Sequence, residues 1–164
     1  MVHGRIVIGF DGSPAARRAL AWAVREAVRR PARLLVVTAY PPAAHPEHPA
    51  GSSARVDDLL GLVRAQREAI AAAVAGLGTE PPVVGRQVVI ADPVVALCHA
   101  GTMADLLVLG VASRDGLATS TAGRIAQAFA DRRHRGIACP LVVVPGAEPA
   151  LPTAETAELV GAIG

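Results

Sequence analysis

Residues 104–124 read Ala-Asp-Leu-Leu-Val-Leu-Gly-Val-Ala-Ser-Arg-Asp-Gly-Leu-Ala-Thr-Ser-Thr-Ala-Gly-Arg. The apolar run from Leu106 to Leu109 predicts a buried strand that ends at Gly110. A long polar loop follows, and a helix is expected to start at Gly123. Loops between strand and helix in α/β units usually span two to six residues, and longer ones are often functional. A strand, a glycine-containing loop and a helix N-terminus together form an anion site, because the first helical N–H groups are unpaired and point outward. The loop is therefore read as a phosphate holder.

The same alternation extends in both directions. Arg5 to Phe10 is a short apolar run suited to a buried parallel strand. Asp11-Gly-Ser-Pro14 breaks it, with Ser13 as N-cap and Pro14 as first helical residue. Leu20, Ala23, Val24, Ala27 and Val28 recur at helical spacing, Arg17, Arg18, Arg25 and Arg29 fall elsewhere, and Pro31 stops this helix. Leu34 to Thr38 is a second strand. Residues 41–53 are Pro-rich and expected to be a mobile loop. A second helix over 54–75 shows Leu59, Val63, Ile70 and Val74 as its apolar stripe. A third strand covers 83–90, Asp92-Pro93 opens a third helix that Gly101 closes, strand four is 105–109, helix four 123–133 and strand five 141–144. Five strands alternating with four helices predict an α/β fold, a doubly wound parallel sheet with helices on both faces. Ligands of such sheets bind beyond the carboxyl ends of the strands, where the winding reverses.

Composition narrows the function. The chain has 164 residues, a formal net charge of +2 and no lysine, which excludes a Walker A lysine and Schiff-base chemistry. Low net charge implies no strong attraction to a polyanion. No apolar run is long enough for a transmembrane helix, and the N-terminus carries no signal-peptide core, so a soluble cytoplasmic protein is expected. Two cysteines, Cys98 and Cys139, do not make a disulfide framework.

The chain resembles the universal stress protein family over residues 4–145. The matching pieces are residues 6–14 (Ile-Val-Ile-Gly-Phe-Asp-Gly-Ser-Pro), 34–40 (Leu-Leu-Val-Val-Thr-Ala-Tyr), 92–97 (Asp-Pro-Val-Val-Ala-Leu), 104–110 and 139–144 (Cys-Pro-Leu-Val-Val-Val). The resemblance implies a Rossmann-like sheet of strand order 3-2-1-4-5, with Asp11 and Gly110 flanking the crevice. It divides the chain into a domain over 1–146 and a tail over 147–164 with at most a short helix near 153–163. It also implies a homodimer through strand five (Leu141, Val142, Val143, Val144).

ATP-binding members of the family are similar in carrying Gly, two residues, Gly, nine residues, Gly, then Ser or Thr. On this chain the first and third glycines are Gly110 and Gly123, but Ser113 replaces the second and Arg124 replaces the hydroxyl residue. Serine at 113 resists a left-handed conformation by about 1–2 kcal/mol. Arg124 could grip a phosphate in bidentate fashion, fill the phosphate cavity, or swing out to solvent. Thr119, Ser120 and Thr121 stand ready to replace the missing hydroxyl. The resemblance further places Gly9, Asp11 and Ala39 beside adenine and ribose. With Gly110, Ser113, Gly123, Arg124 and Ile125 these make up the implied nucleotide-binding set. Asp11 has an alternative role as a loop carboxylate that binds backbone N–H groups.

Other candidates read as structural. His45 and His48 are expected to lie in a solvated loop, since nothing near them in sequence completes a metal site. Cys98 and Cys139 read as packing residues, as does Trp22. Arg132, Arg133, His134 and Arg135 suit a helix C-terminus, and no aromatic residues alternate with them to stack nucleic-acid bases. No catalytic constellation is visible. The expectation is a non-enzymatic stress-response module, acting on an unidentified protein partner, with no cofactor and with ATP binding weakened or lost. The alternatives are a nucleotide-dependent switch that holds ATP, or another adenine nucleotide, through Arg124 and the neighbouring hydroxyls, and a slow ATP hydrolase.

Overall fold

The computed structural model describes residues 4–112, 120–133 and 139–146. Its elements are β1 (Arg5–Gly9), α1 (Pro14–Arg29), β2 (Arg33–Tyr40), a short 3-10 turn (Pro42–Ala44), α2 (Ser53–Ala75), β3 (Val84–Ile90), α3 (Pro93–Gly101), β4 (Leu106–Val111), α4 (Thr121–Arg133) and β5 (Leu141–Pro145). The strands form one sheet of order β3-β2-β1-β4-β5, and every neighbouring pair is parallel. The doubly wound α/β fold is therefore present.

Helix starts follow from cap chemistry. Ser13 accepts a hydrogen bond from the Ala16 amide at 3.1 Å, and Asp92 accepts one from Val94 at 2.8 Å. Each is followed by a proline at the first helical position, where no N–H is needed. Helix α4 corrects the sequence reading, because it begins at Thr121 and not at Gly123. The Ser120 hydroxyl accepts from the Gly123 amide at 3.1 Å, which caps the helix two residues upstream of the expected start.

The sheet carries an apolar layer on each face. On one side α1 and α2 pack over Ile6, Ile8, Leu34, Val36 and Val108. On the other, α3 and α4 pack over Val7, Val37, Leu107 and Leu109. Alternate residues of one strand thus serve opposite cores, which explains the continuous apolar runs. Cys98 is buried in the second layer, Cys139 packs against it, and Trp22 packs against the first.

Helix α2 departs from its expected stripe. Its buried residues are Gln66 and Ala69, with Ile70 and Val74 partly buried, whereas Val63 is exposed and Leu59 is half-buried. Gln66 donates to the Thr38 hydroxyl at 2.8 Å and to the Gln87 carbonyl at 3.0 Å. Thr38 in turn donates to the Phe10 carbonyl at 2.7 Å. A satisfied amide thus occupies a core position that the aliphatic stripe did not include.

Ser113, Thr119, His134, Arg135 and the tail over 147–164 lie outside the described residues. Arg132 and Arg133 end α4, and their side chains lie outside the description as well.

Candidate functional site: the crevice at the sheet reversal

The winding reverses between β1 and β4. At their carboxyl ends a crevice of about 590 Å³ opens. Its floor is apolar and built from Val37, Leu97, Leu109, Val111 and Ile125. Polar groups stand at the rim: Asp11, Ser13 and Arg18 from the β1–α1 turn and α1, with Ser120 and Thr121 from the start of α4. The volume and the pairing of an apolar floor with a few polar groups suit a small-molecule site.

Five of the eight residues named from the resemblance line this space: Gly9, Asp11, Ala39, Gly110 and Ile125. Ser113 lies outside the described residues. Gly123 and Arg124 stand in the first turn of α4 and are not among the described lining residues. The Arg124 guanidinium reaches Asp92 Oδ2 at 3.9 Å and is 64% exposed. It neither fills the crevice nor faces its floor.

Packing accounts for two glycines of the lining, Gly9 and Gly110. A Cβ at Gly110 would stand 2.5 Å from the Ala15 carbonyl carbon and 2.7 Å from the Ala16 nitrogen, both backbone atoms of α1. One at Gly9 would meet side-chain methyls of Leu97 at 2.6 Å and Leu109 at 2.9 Å. Asp11 likewise has a local task. Its Oδ1 accepts from the Ser13 amide at 2.9 Å, closing a turn in which Gly12 takes a φ of +83°. The carboxylate is exposed at the rim and still faces the crevice.

Sequence reasoning missed Arg18. Helical periodicity set it apart from the buried face of α1, and it is indeed exposed. The face it occupies borders the crevice beside Ala112 and Gly146, so its guanidinium is a cation at the rim. The strand order would have revealed this, since the N-terminal turns of the helix after β1 overlook the reversal point.

A second polar cluster lies just past the end of β2. The Tyr40 hydroxyl donates to Asp58 Oδ2 at 3.0 Å, and His48 Nδ1 approaches the same oxygen at 2.6 Å. The His48 contact is the main reason the Asp58 carboxyl is held below its usual range; burial opposes that shift, and the Tyr40 hydrogen bond adds to it. Tyr40 is pushed above its usual value, first by burial and then by its bond to Asp58. The His45 ring stacks on Tyr40 with centroids 4.8 Å apart. Residues 41–53, expected to be a mobile loop, carry a 3-10 turn and further hydrogen-bonded turns.

Among the described residues, no helix is long and apolar enough to cross a membrane.

The model of the universal stress protein family matches residues 3–145. Among solved structures, a universal stress protein in complex with cAMP is 24% identical, with a TM-score of 0.60 over 90% of this chain and 100% of that one. A member of the family from Burkholderia pseudomallei is 24% identical, with a TM-score of 0.60 over 88% of this chain and 98% of that one. The protein from Archaeoglobus fulgidus in complex with dAMP is 16% identical, with a TM-score of 0.58 over 88% of this chain and 99% of that one. A comparison with curated proteins finds no match.

Proposed function

The chain belongs to the universal stress protein family, and on that premise we propose that it is a non-enzymatic module whose crevice takes an adenine mononucleotide and holds ATP only weakly. The observation that carries this reading is the division of labour between the two arginines. Arg124 is turned to Asp92, which leaves Arg18 as the one cationic side chain among the described residues lining the crevice. A guanidinium matches one phosphate in bidentate fashion. The further phosphates of ATP would find no second cation among those residues, and Asp11 stands at the same rim.

Two solved relatives of the same fold, holding cAMP and dAMP, support the choice of a mononucleotide. Adenine would lie on the apolar floor near Val37 and Ala39, with the phosphate towards Arg18, Ser120 and Thr121. Asp11, the one carboxylate among the described lining residues, already accepts from the Ser13 amide, which supports a binding role over a hydrolytic one.

Titration calorimetry of the full chain with AMP, cAMP and ATP tests this. A mononucleotide should bind more tightly than ATP. ATP affinity should be no better than about 100 μM, roughly −5.5 kcal/mol. Arg18→Gln should weaken the mononucleotide about tenfold, roughly 1.4 kcal/mol. Low-micromolar ATP affinity, weakened by Arg124→Ser alone, would refute this reading and establish the nucleotide-dependent switch in its place.

A further inference from the structure

We propose that the turn between β2 and α2 binds a late first-row divalent cation, Zn²⁺ foremost, with His45, Glu47 and His48 as ligands and Asp58 orienting His48. One ligand atom from each of His45, Glu47 and His48 lies within 4.8 Å of the other two. A tetrahedral zinc site with bonds of about 2.0–2.1 Å needs its ligand atoms roughly 3.3 Å apart. Binding requires side-chain rotations that close this gap, and all three side chains have room for them, being partly exposed: His45 at 40%, Glu47 at 60% and His48 at 30%.

The backbone is already turned for this purpose. The His48 amide donates to the His45 carbonyl at 3.1 Å, so His45-Pro46-Glu47-His48 is a closed turn. Pro46 holds the second position, where its fixed φ favours the bend. That turn brings two imidazoles three residues apart to the same side of the loop, with ring planes 13° apart. Stacking on Tyr40 steadies the His45 ring.

Asp58 supplies the outer contact that metal-bound histidines commonly make. It lies 2.6 Å from His48 Nδ1 and is itself held by the Tyr40 hydroxyl at 3.0 Å. A proton on Nδ1 serves that bond and leaves the Nε2 lone pair for the metal. Two imidazoles and one carboxylate suit Zn²⁺, and they disfavour Mg²⁺, which prefers oxygen ligands and near-octahedral geometry. Three protein ligands leave a fourth position open to water or to a further group.

The test is titration calorimetry of the full chain with ZnCl₂ in a non-chelating buffer, beside MgCl₂. One Zn²⁺ per chain in the micromolar range or tighter is expected, with no Mg²⁺ binding. Asp58→Asn should weaken Zn²⁺ by 10- to 100-fold, and His45→Ala with His48→Ala should abolish the site while the circular dichroism spectrum is kept. In the wild type, Co²⁺ should give the strong visible absorption of a tetrahedral complex, a readout that mere loosening of the loop would not produce. Absence of Zn²⁺ binding at millimolar metal would overturn the proposal. So would Zn²⁺ binding unchanged in the double variant, which would place the metal on other residues. An octahedral, weakly absorbing Co²⁺ spectrum would overturn the tetrahedral assignment.

Discussion

Gly110→Ala separates two explanations of the most telling glycine in the chain. If that glycine serves a phosphate, adding a methyl should cost affinity and leave the empty protein intact. The structure predicts the opposite. The new Cβ would stand 2.5 Å and 2.7 Å from the backbone of Ala15 and Ala16, about 1 Å inside normal contact between carbon atoms. Neither side yields readily. Strand β4 lies between β1 and β5, and Ala15, Ala16, Ala19 and Leu20 of α1 are buried. Overpacking of this kind costs about 1–3 kcal/mol, and a clash with backbone belongs at the upper end, near 3 kcal/mol. For a chain of this length that is a fall in melting temperature of roughly 6–12 °C. The assay is urea denaturation followed by far-ultraviolet circular dichroism, without nucleotide. Gly9→Ala, which meets only leucine methyls, and Gly12→Ala, strained by φ alone, serve as references and should each cost about 1–2 kcal/mol. A Gly110→Ala protein within about 0.5 kcal/mol of wild type would refute the packing argument and return the glycine to the ligand.

Three further outcomes are expected. Gln66→Leu should cost about 1–3 kcal/mol in denaturant titration, because the Gln87 carbonyl loses its buried donor; a neutral result would mean that water replaces the amide. Asp58→Asn should be less stable than wild type at neutral pH, and the difference should fade as pH falls below about 4. The Asp58 carboxyl is held low by His48, so its contribution is present above the unfolded value and lost on acidification; denaturation midpoints that keep a constant gap down to pH ~2 would contradict this. Strand β5 is a sheet edge, an invitation to pairing, and we propose that it pairs with its copy. Val143→Lys should then shift sedimentation from dimer towards monomer, and a wild type that sediments as a monomer at micromolar concentration would exclude the pairing.

Much of the fold was legible because its signals are local. Ser13-Pro14 and Asp92-Pro93 announce helices through side-chain caps and a missing N–H, and both caps form. Strands β1, β2, β4 and β5 were legible from their apolar runs, whereas β3 carries Arg86 and Gln87 in its middle; the strand order came from family resemblance. What escaped depended on partners far apart in sequence. Gln66 occupies a core position because Thr38 and Gln87, on two different strands, satisfy its amide. His45 and His48 read as a solvated pair although Glu47 stands between them, because spacing does not show that a turn gathers the three or that Asp58, on the next helix, holds His48. Arg124 could not be assigned an orientation until Asp92 was seen across from it at 3.9 Å. Arg18 read as an outward residue because periodicity separates core from surface and cannot tell solvent from crevice.

The notch at Gly101 has a consequence for how such a protein diverges. A Cβ there would lie 3.1 Å from two carbons of the Phe129 ring, which is itself 1% exposed. Helices α3 and α4 are therefore in close contact at this point, and Leu97 and Ile125, one turn earlier on each helix, form part of the crevice floor. A larger residue at 101 needs a smaller one at 129, so descendants that enlarge position 101 are expected to shrink position 129 as well. A pair that does not conserve the summed volume should change the spacing of the helices and with it the width of the crevice. The crevice would then change shape along a lineage while the residues that line it stay the same.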